Sequence, residues 1–294
     1  MEILIAILCF ILLGGGCGLL LAVASKAFAV QVDERVERLV ECLPGANCGG
    51  CGFSGCALYA QAVAAGQANI GCCTPGGNQT AAMMAAIMGT EAMPVEALRA
   101  QVMCSGTHDL SLRKYVYEGA PDCVAATRLG GGDRLCPAGC VGLGTCASVC
   151  KFGAIHVEGG VAVVDYHKCT GCGVCTRACP KHIIKLIPFG CHHWVGCSSP
   201  DPARTIRSYC DVGCITCQIC VKNCPSDAIH IIGNVAVIDY AKCTNCGTCV
   251  KKCPRNIIWS AQMQGEHGLL ITRVMVEEAA ARHSASAAEP QLTP

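Results

Sequence analysis

Residues 168–180 read KCTGCGVCTRACP, and residues 242–254 read KCTNCGTCVKKCP. Both carry the spacing C-x2-C-x2-C-x3-C-P. In this iron–sulfur pattern three thiolates hold one cluster and the fourth holds its neighbour. Working outward, residues 136–188 align with 210–262 without a gap, at an offset of 74. Cys136, Cys140, Cys146, Cys150, Cys169, Cys172, Cys175 and Cys179 meet Cys210, Cys214, Cys220, Cys224, Cys243, Cys246, Cys249 and Cys253. VAVVDYHKC meets VAVIDYAKC, so the chain contains an internal duplication.

In the second unit the pattern assigns Cys214, Cys217, Cys220 and Cys253 to one [4Fe–4S] group. It assigns Cys224, Cys243, Cys246 and Cys249 to another. This crossing of ligands ties the two halves together. Between them, AIHIIGNVAVID (228–239) reads as two short strands around a Gly-Asn turn, giving the βαββαβ order of a ferredoxin domain. The first unit departs from the rule, because Leu143 stands where Cys217 stands in the second. Cys136 is expected to fill the vacancy, giving Cys136, Cys140, Cys146 and Cys179 to one group and Cys150, Cys169, Cys172 and Cys175 to the other. A three-iron centre or an open iron is the alternative there. Residues 142–147 match G-x-G-x-x-A, but they lie among ligand cysteines rather than after a strand, which argues against a nucleotide site.

The chain has 294 residues and 29 cysteines. Such density needs a covalent reason, either disulfides or metal. The count is odd, and most cysteines fall two or three residues apart, a spacing poor for bridging each other and good for holding one cluster. Formal net charge is +1 and aromatic residues are 4%, with no basic patch interleaved with aromatics, so nucleic-acid binding has no support.

Ile3 to Ser25 carries no charge and would extend about 35 Å as a helix, enough to cross a bilayer core. Lys26, Arg35 and Arg38 follow it and no Lys or Arg precedes it, which orients the remainder towards the cytoplasm. Glu2 argues against a cleaved signal peptide, and GGGC at 14–17 is a poor lipoprotein site. Gly14 and Gly18 form a small-xxx-small pair suited to close helix packing, while Cys9 and Cys17 read as small apolar residues. Val32, Val36, Leu39 and Val40 then mark an amphipathic helix over 30–40.

CLPGANCGGCGFSGC (42–56) follows, with Cys48, Cys51 and Cys56 spaced C-x2-C-x4-C among four glycines. A short helix over 57–65 leads to GCCTPGG, where Cys72 or Cys73 supplies the fourth thiolate; Cys73 is chosen for the Pro75-Gly76-Gly77 turn beside it. The four thiolates suit a [4Fe–4S] group, with zinc as the rival reading. The Ala/Met-rich segment 79–103 reads as a helix. The cysteine pattern resembles the Fes-type iron–sulfur domain, a small helical module in which Cys42 has no place.

Twenty ligands leave Cys9, Cys17, Cys42, Cys72, Cys104, Cys123, Cys191, Cys197 and Cys210. Cys104, Cys123, Cys197 and Cys210 flank the first ferredoxin unit and offer a sixth site or ordinary buried thiols. Cys191 is a rival ligand beside His192 and His193, a pair read as solvated.

The expected organisation is α+β: an anchor at 1–29, a Fes-type domain at 30–100, a connector at 101–130, ferredoxin unit one at 131–190, a linker at 191–208, unit two at 209–265, and a tail at 266–294, disordered at its end. This order resembles the B subunit of Rnf complexes (the RnfB/RsxB family) over nearly the whole chain, in a long form with a repeated ferredoxin unit. The resemblance implies a membrane-anchored electron-transport component of a translocase. Such a complex couples ferredoxin:NAD oxidoreduction to Na⁺ or H⁺ transport. It implies five [4Fe–4S] groups, soluble ferredoxin as donor, and partner subunits with flavins and the NAD site. It also implies one span in the cytoplasmic membrane, with the cluster domains on the cytoplasmic side. Nothing resembles an acid, base or nucleophile constellation, so no catalytic residue is expected. An electron-transfer component of another membrane oxidoreductase or hydrogenase is the alternative. An exported disulfide-rich or zinc-binding structural protein is a third reading.

Overall fold

The computed structural model describes residues 2–27 and 33–261. The expected tail lies outside these residues, as do Val30 and Val32 of the amphipathic helix. The first helix, α1 (Glu2–Ala27), is continuous over 26 residues and exposes Phe10, Leu12 and Leu20. Counting only the described residues, no helix is long and apolar enough to cross a membrane.

A small helical module comes next. Its helices are α2 (Glu34–Cys42), α3 (Cys56–Ala64) and α4 (Gly77–Met88). Asp33 caps α2 by accepting the Arg35 amide at 2.9 Å. The apolar face of α2 delivers Leu39 into a core with Tyr59, Val63 and Met84. Gly89, at φ 68, ends α4 in the left-handed conformation that glycine adopts without penalty. The helix expected over 79–103 therefore stops at Met88, and its last part is a strand, β1 (Leu98–Val102).

Two lobes of the same design follow. Lobe one adds α5 (Cys123–Arg128), α6 (Thr145–Ser148), β2 (Ile155–Glu158), β3 (Val161–Val164), α7 (Val174–Ala178) and β4 (Ile184–Pro188) to β1. Lobe two contains β5 (His193–Val195), α8 (Ala203–Tyr209), α9 (Ile219–Lys222), β6 (Ile229–Ile232), β7 (Val235–Ile238), α10 (Thr248–Lys252) and β8 (Ile258–Ser260). In each lobe the outer strands pair antiparallel, Leu98 opposite Pro188 and His193 opposite Ser260. In each, the inner strands form a hairpin, Ile155 opposite Val164 and Ile229 opposite Ile238. Gly233 and Asn234 both have positive φ, which a tight hairpin turn needs, and Gly159-Gly160 do the same in lobe one. The first strand of each lobe comes from ahead of residues 131 and 209, in segments read as Fes-type domain, connector and linker. Neither strand carries a cysteine to mark it.

The lobes touch closely. Arg99 of β1 is fully buried, donates to Cys191 O at 2.6 Å and lies 4.1 Å over the Tyr166 ring. Ser111 forms an isolated bridge with Cys210, and Leu112 N donates to Tyr209 O. The core of lobe two takes in Leu110 and Cys136 from the chain between β1 and α6.

Candidate metal centres

Cys17 and the cysteines from Cys42 to Cys253 are free thiols, so no disulfide framework exists among them. No three of the described His, Cys, Asp or Glu side chains converge closely enough to grip a single metal ion. Four thiolates on one zinc must crowd around one atom; four thiolates on separate irons of a cube stand farther apart.

In the helical module, Asn47 adopts φ 45 and its Oδ1 accepts the Cys56 amide at 2.8 Å, drawing the cysteine loop onto the start of α3. Tyr59 donates to Asn69 O at 2.8 Å and accepts from Cys72 N at 3.2 Å, which fixes the return segment. Burial pushes the Cys73 thiol up, and the Cys56, Cys51 and Cys48 thiols push it further. Cys73 thus shares a site with those three, while Cys72 is exposed. Cys42 packs beside the core of the module.

In lobe one, Cys123, Cys140, Cys146 and Cys179 line one small apolar cavity. Burial raises Cys140 to about 12 and Cys146 to about 11; Cys123 and then Cys179 add to the shift of Cys146. The fold thus brings Cys123, rather than Cys136, to this cavity. It opens α5, whose cap is Asp122. Cys123 N donates to Thr145 Oγ1 at 2.7 Å, and Thr145 Oγ1 donates to Asp122 at 2.8 Å. These bonds hold Cys123 beside Cys146, and Leu143 packs against it. Cys136 sits in the other lobe's core instead. The signal for this was present: the counterpart of Cys136 in the repeat, Cys210, had no ladder role.

The second group of lobe one also converges. Burial lifts Cys175 to about 12, and Cys169, Cys172, Cys146 and Cys150 reinforce it. The sulfurs receive backbone donors, Ala154 N to Cys150 Sγ at 3.4 Å and Ala100 N to Cys169 Sγ at 3.3 Å. In lobe two, burial raises Cys220 to about 11, with Cys214, Cys253 and Cys217 adding. Burial raises Cys249 to about 11, with Cys243 and Cys246 adding. Burial alone would lift Cys224, but the Ala228 amide at 3.3 Å and the Ser226 hydroxyl bring it net below the ordinary thiol value. The Thr248 hydroxyl, 3.4 Å away, lowers the exposed Cys246.

Within each lobe the two cysteine groups adjoin. Cys146 acts on Cys175 across lobe one, and Cys220 acts on Cys249 across lobe two. The helical module abuts lobe one, because a Cβ on Gly50 would lie 2.7 Å from Cys172 O, and Arg177 donates to Gly49 O at 2.9 Å. His193, expected in solvent, is buried in β5 at 6% exposure.

Comparison with known families agrees with this geometry. An Fe-S cluster model matches residues 43–75, a 4Fe-4S binding domain matches 162–185, and a 4Fe-4S dicluster domain matches 213–258. The chain is 43% identical to the B subunit of the Na⁺-translocating ferredoxin:NAD⁺ oxidoreductase complex of Acetobacterium woodii, over 77% of this chain and 68% of that one. It is 38% identical to the B subunit of the ion-translocating oxidoreductase complex of Methanosarcina acetivorans, over 79% and 88%. It is 39% identical to the B subunit of the proton-translocating ferredoxin:NAD⁺ oxidoreductase complex of Clostridium ljungdahlii, over 77% and 80%. With three cysteine-lined modules in this order and relatives matched over most of their length, the chain belongs to the B-subunit family of Rnf-type ion-translocating oxidoreductase complexes.

Proposed function

We propose that this protein is the membrane-anchored iron–sulfur relay of an Rnf-type complex, taking electrons from reduced ferredoxin and delivering them to flavin- and NAD-binding partner subunits while the complex moves Na⁺ or H⁺. The observation that carries the reading is the gathering of cysteine groups in the helical module and in both lobes. Cys48, Cys51, Cys56 and Cys73 serve the module. Cys123, Cys140, Cys146 and Cys179, then Cys150, Cys169, Cys172 and Cys175, serve lobe one. Cys214, Cys217, Cys220 and Cys253, then Cys224, Cys243, Cys246 and Cys249, serve lobe two. The lobes themselves are taken as 98–188 and 193–260.

When bound, a [4Fe–4S] group supplies reversible one-electron chemistry. The residues around it do the rest. Thiolates hold the irons, apolar side chains such as Ile184 and Ala162 exclude water, and backbone amides donate to sulfur and tune potential. Cys217 and Cys246 are exposed, and Lys242, Lys251 and Lys252 lie exposed on the same segments, with Lys222 close by. Exposed lysines near exposed ligand cysteines in sequence suit a negatively charged redox donor. The charge-free sequence from Ile3 to Ser25, followed by Lys26, is what supports a single span with the lobes on the cytoplasmic side.

Elemental analysis of the anaerobically isolated chain tests this. Iron and acid-labile sulfide in near-equal amounts, without zinc, are expected; a colourless zinc protein overturns it.

A further inference from the structure

The duplication leaves a set of cysteines outside the ladders, and the fold gathers four of them. Cys104 stands two residues past the end of β1 and Cys197 two residues past the end of β5, so they occupy the same place in the two lobes. Each accepts an amide from equivalent ladder cysteines: Cys140 N to Cys104 Sγ at 3.5 Å, and Cys214 N to Cys197 Sγ at 3.4 Å. Cys136 and Cys210 are a second equivalent pair, at the repeat offset.

These pairs meet where the lobes join. Ser198 Oγ donates to Met103 O at 2.9 Å, and a Cβ on Gly196 would collide with Ser105 Oγ. The residues flanking Cys104 thus touch those flanking Cys197. A Cβ on Gly106 would lie 3.6 Å from Cys210 Sγ. Leu112 bonds Tyr209 through its N–H and Leu135 through its carbonyl, which draws Cys210 and Cys136 to either side of one extended segment. Both are buried in one core with Leu110 and Val195.

We propose that Cys104, Cys136, Cys197 and Cys210 hold a further iron–sulfur cluster at the junction of the lobes, two thiolates coming from each half of the repeat.

The site rests on the relay reading above and joins its two lobes through one more centre. Its surroundings fit. Arg134 is 2% exposed, gives its Nη hydrogen bonds to the carbonyls of Thr107, Ser111 and Gly160, and leaves Nε without a partner. It enters no ion pair among the described residues. A buried guanidinium needs a negative neighbour, and a thiolate-bound cluster beside Cys104 supplies one. Burial raises Cys210 to about 12, and Cys104, Cys197 and Cys136 add to the rise; a metal removes those protons and the mutual repulsion together.

The test is iron and sulfide counting on the anaerobically reconstituted full chain, beside Cys210→Ala and Cys104→Ala, one variant in each half of the repeat. About 24 irons are expected in the parent and about 20 in each variant, at four per cluster. If one variant fails to fold, the other and the parent still decide. A parent that saturates at about 20 irons, or folded variants that keep the parent's count, overturn the junction site and leave the relay reading standing. A parent without iron overturns both.

Discussion

The exchange of Cys123 for Cys136 in lobe one has a sharp consequence for iron content. The cavity there is lined by Cys123, Cys140, Cys146 and Cys179, while Cys136 lies with Cys210 in the core of lobe two. Removing two ligands of one cluster costs no more than that cluster; removing one ligand from each of two costs both. Cys123→Ala and Cys136→Ala should therefore each lose up to four irons, and the double variant up to about eight, leaving about 16 of about 24. Additivity is the readout, because independent sites add and shared ones do not. A three-iron remnant in Cys123→Ala leaves the readout intact, since the losses still sum. Iron and sulfide are measured anaerobically on the four proteins in parallel. A Cys123→Ala variant that keeps the parent's iron would refute the structural assignment, and with Cys136→Ala alone losing four it would restore the one drawn from spacing.

Three other outcomes follow from the structure. Gly171→Ala places a side chain against Leu98 O at φ 67, so it should destabilise lobe one by about 3 kcal/mol, read by anaerobic denaturant unfolding; unchanged stability would mean that β1 does not press on this turn. Burial raises Cys140, Cys175 and Cys210 to about 12, so the folded metal-free chain holds protons more tightly than the unfolded one. Its stability is full below the unfolded thiol value of about 8.5 and falls as pH climbs towards about 12, whereas the iron-loaded chain, already deprotonated, stays flat; melts at pH 7 and 10 compare the two. Deleting residues 1–32 should release the chain from membranes with its iron count intact, and sedimentation of the truncated protein checks it.

The ladders were legible because the spacing C-x2-C-x2-C lets three thiolates reach three irons of one cube. The hairpins were legible from Gly233-Asn234. What escaped were features made by distance in sequence. β1 has no cysteine and an Ala/Met-rich approach, so it read as helix; only pairing with β4 makes it a strand. Cys123 reaches Cys146 through Asp122 and Thr145, a bond set between residues 23 apart that spacing does not encode. Asn245, the repeat counterpart of Gly171, shows how one fold position is met in two ways. Its side chain accepts His192 N at 2.9 Å and donates to Gly190 O at 2.9 Å, tying the strand that backbone contact holds in lobe one.

The most direct measurement is rapid anaerobic mixing of the purified chain with reduced ferredoxin, followed in the visible iron–sulfur absorption. A relay predicts bleaching of this chain's own chromophore as ferredoxin is oxidised, with no partner protein of the complex present. A chromophore that stays oxidised beside reduced ferredoxin would contradict the account.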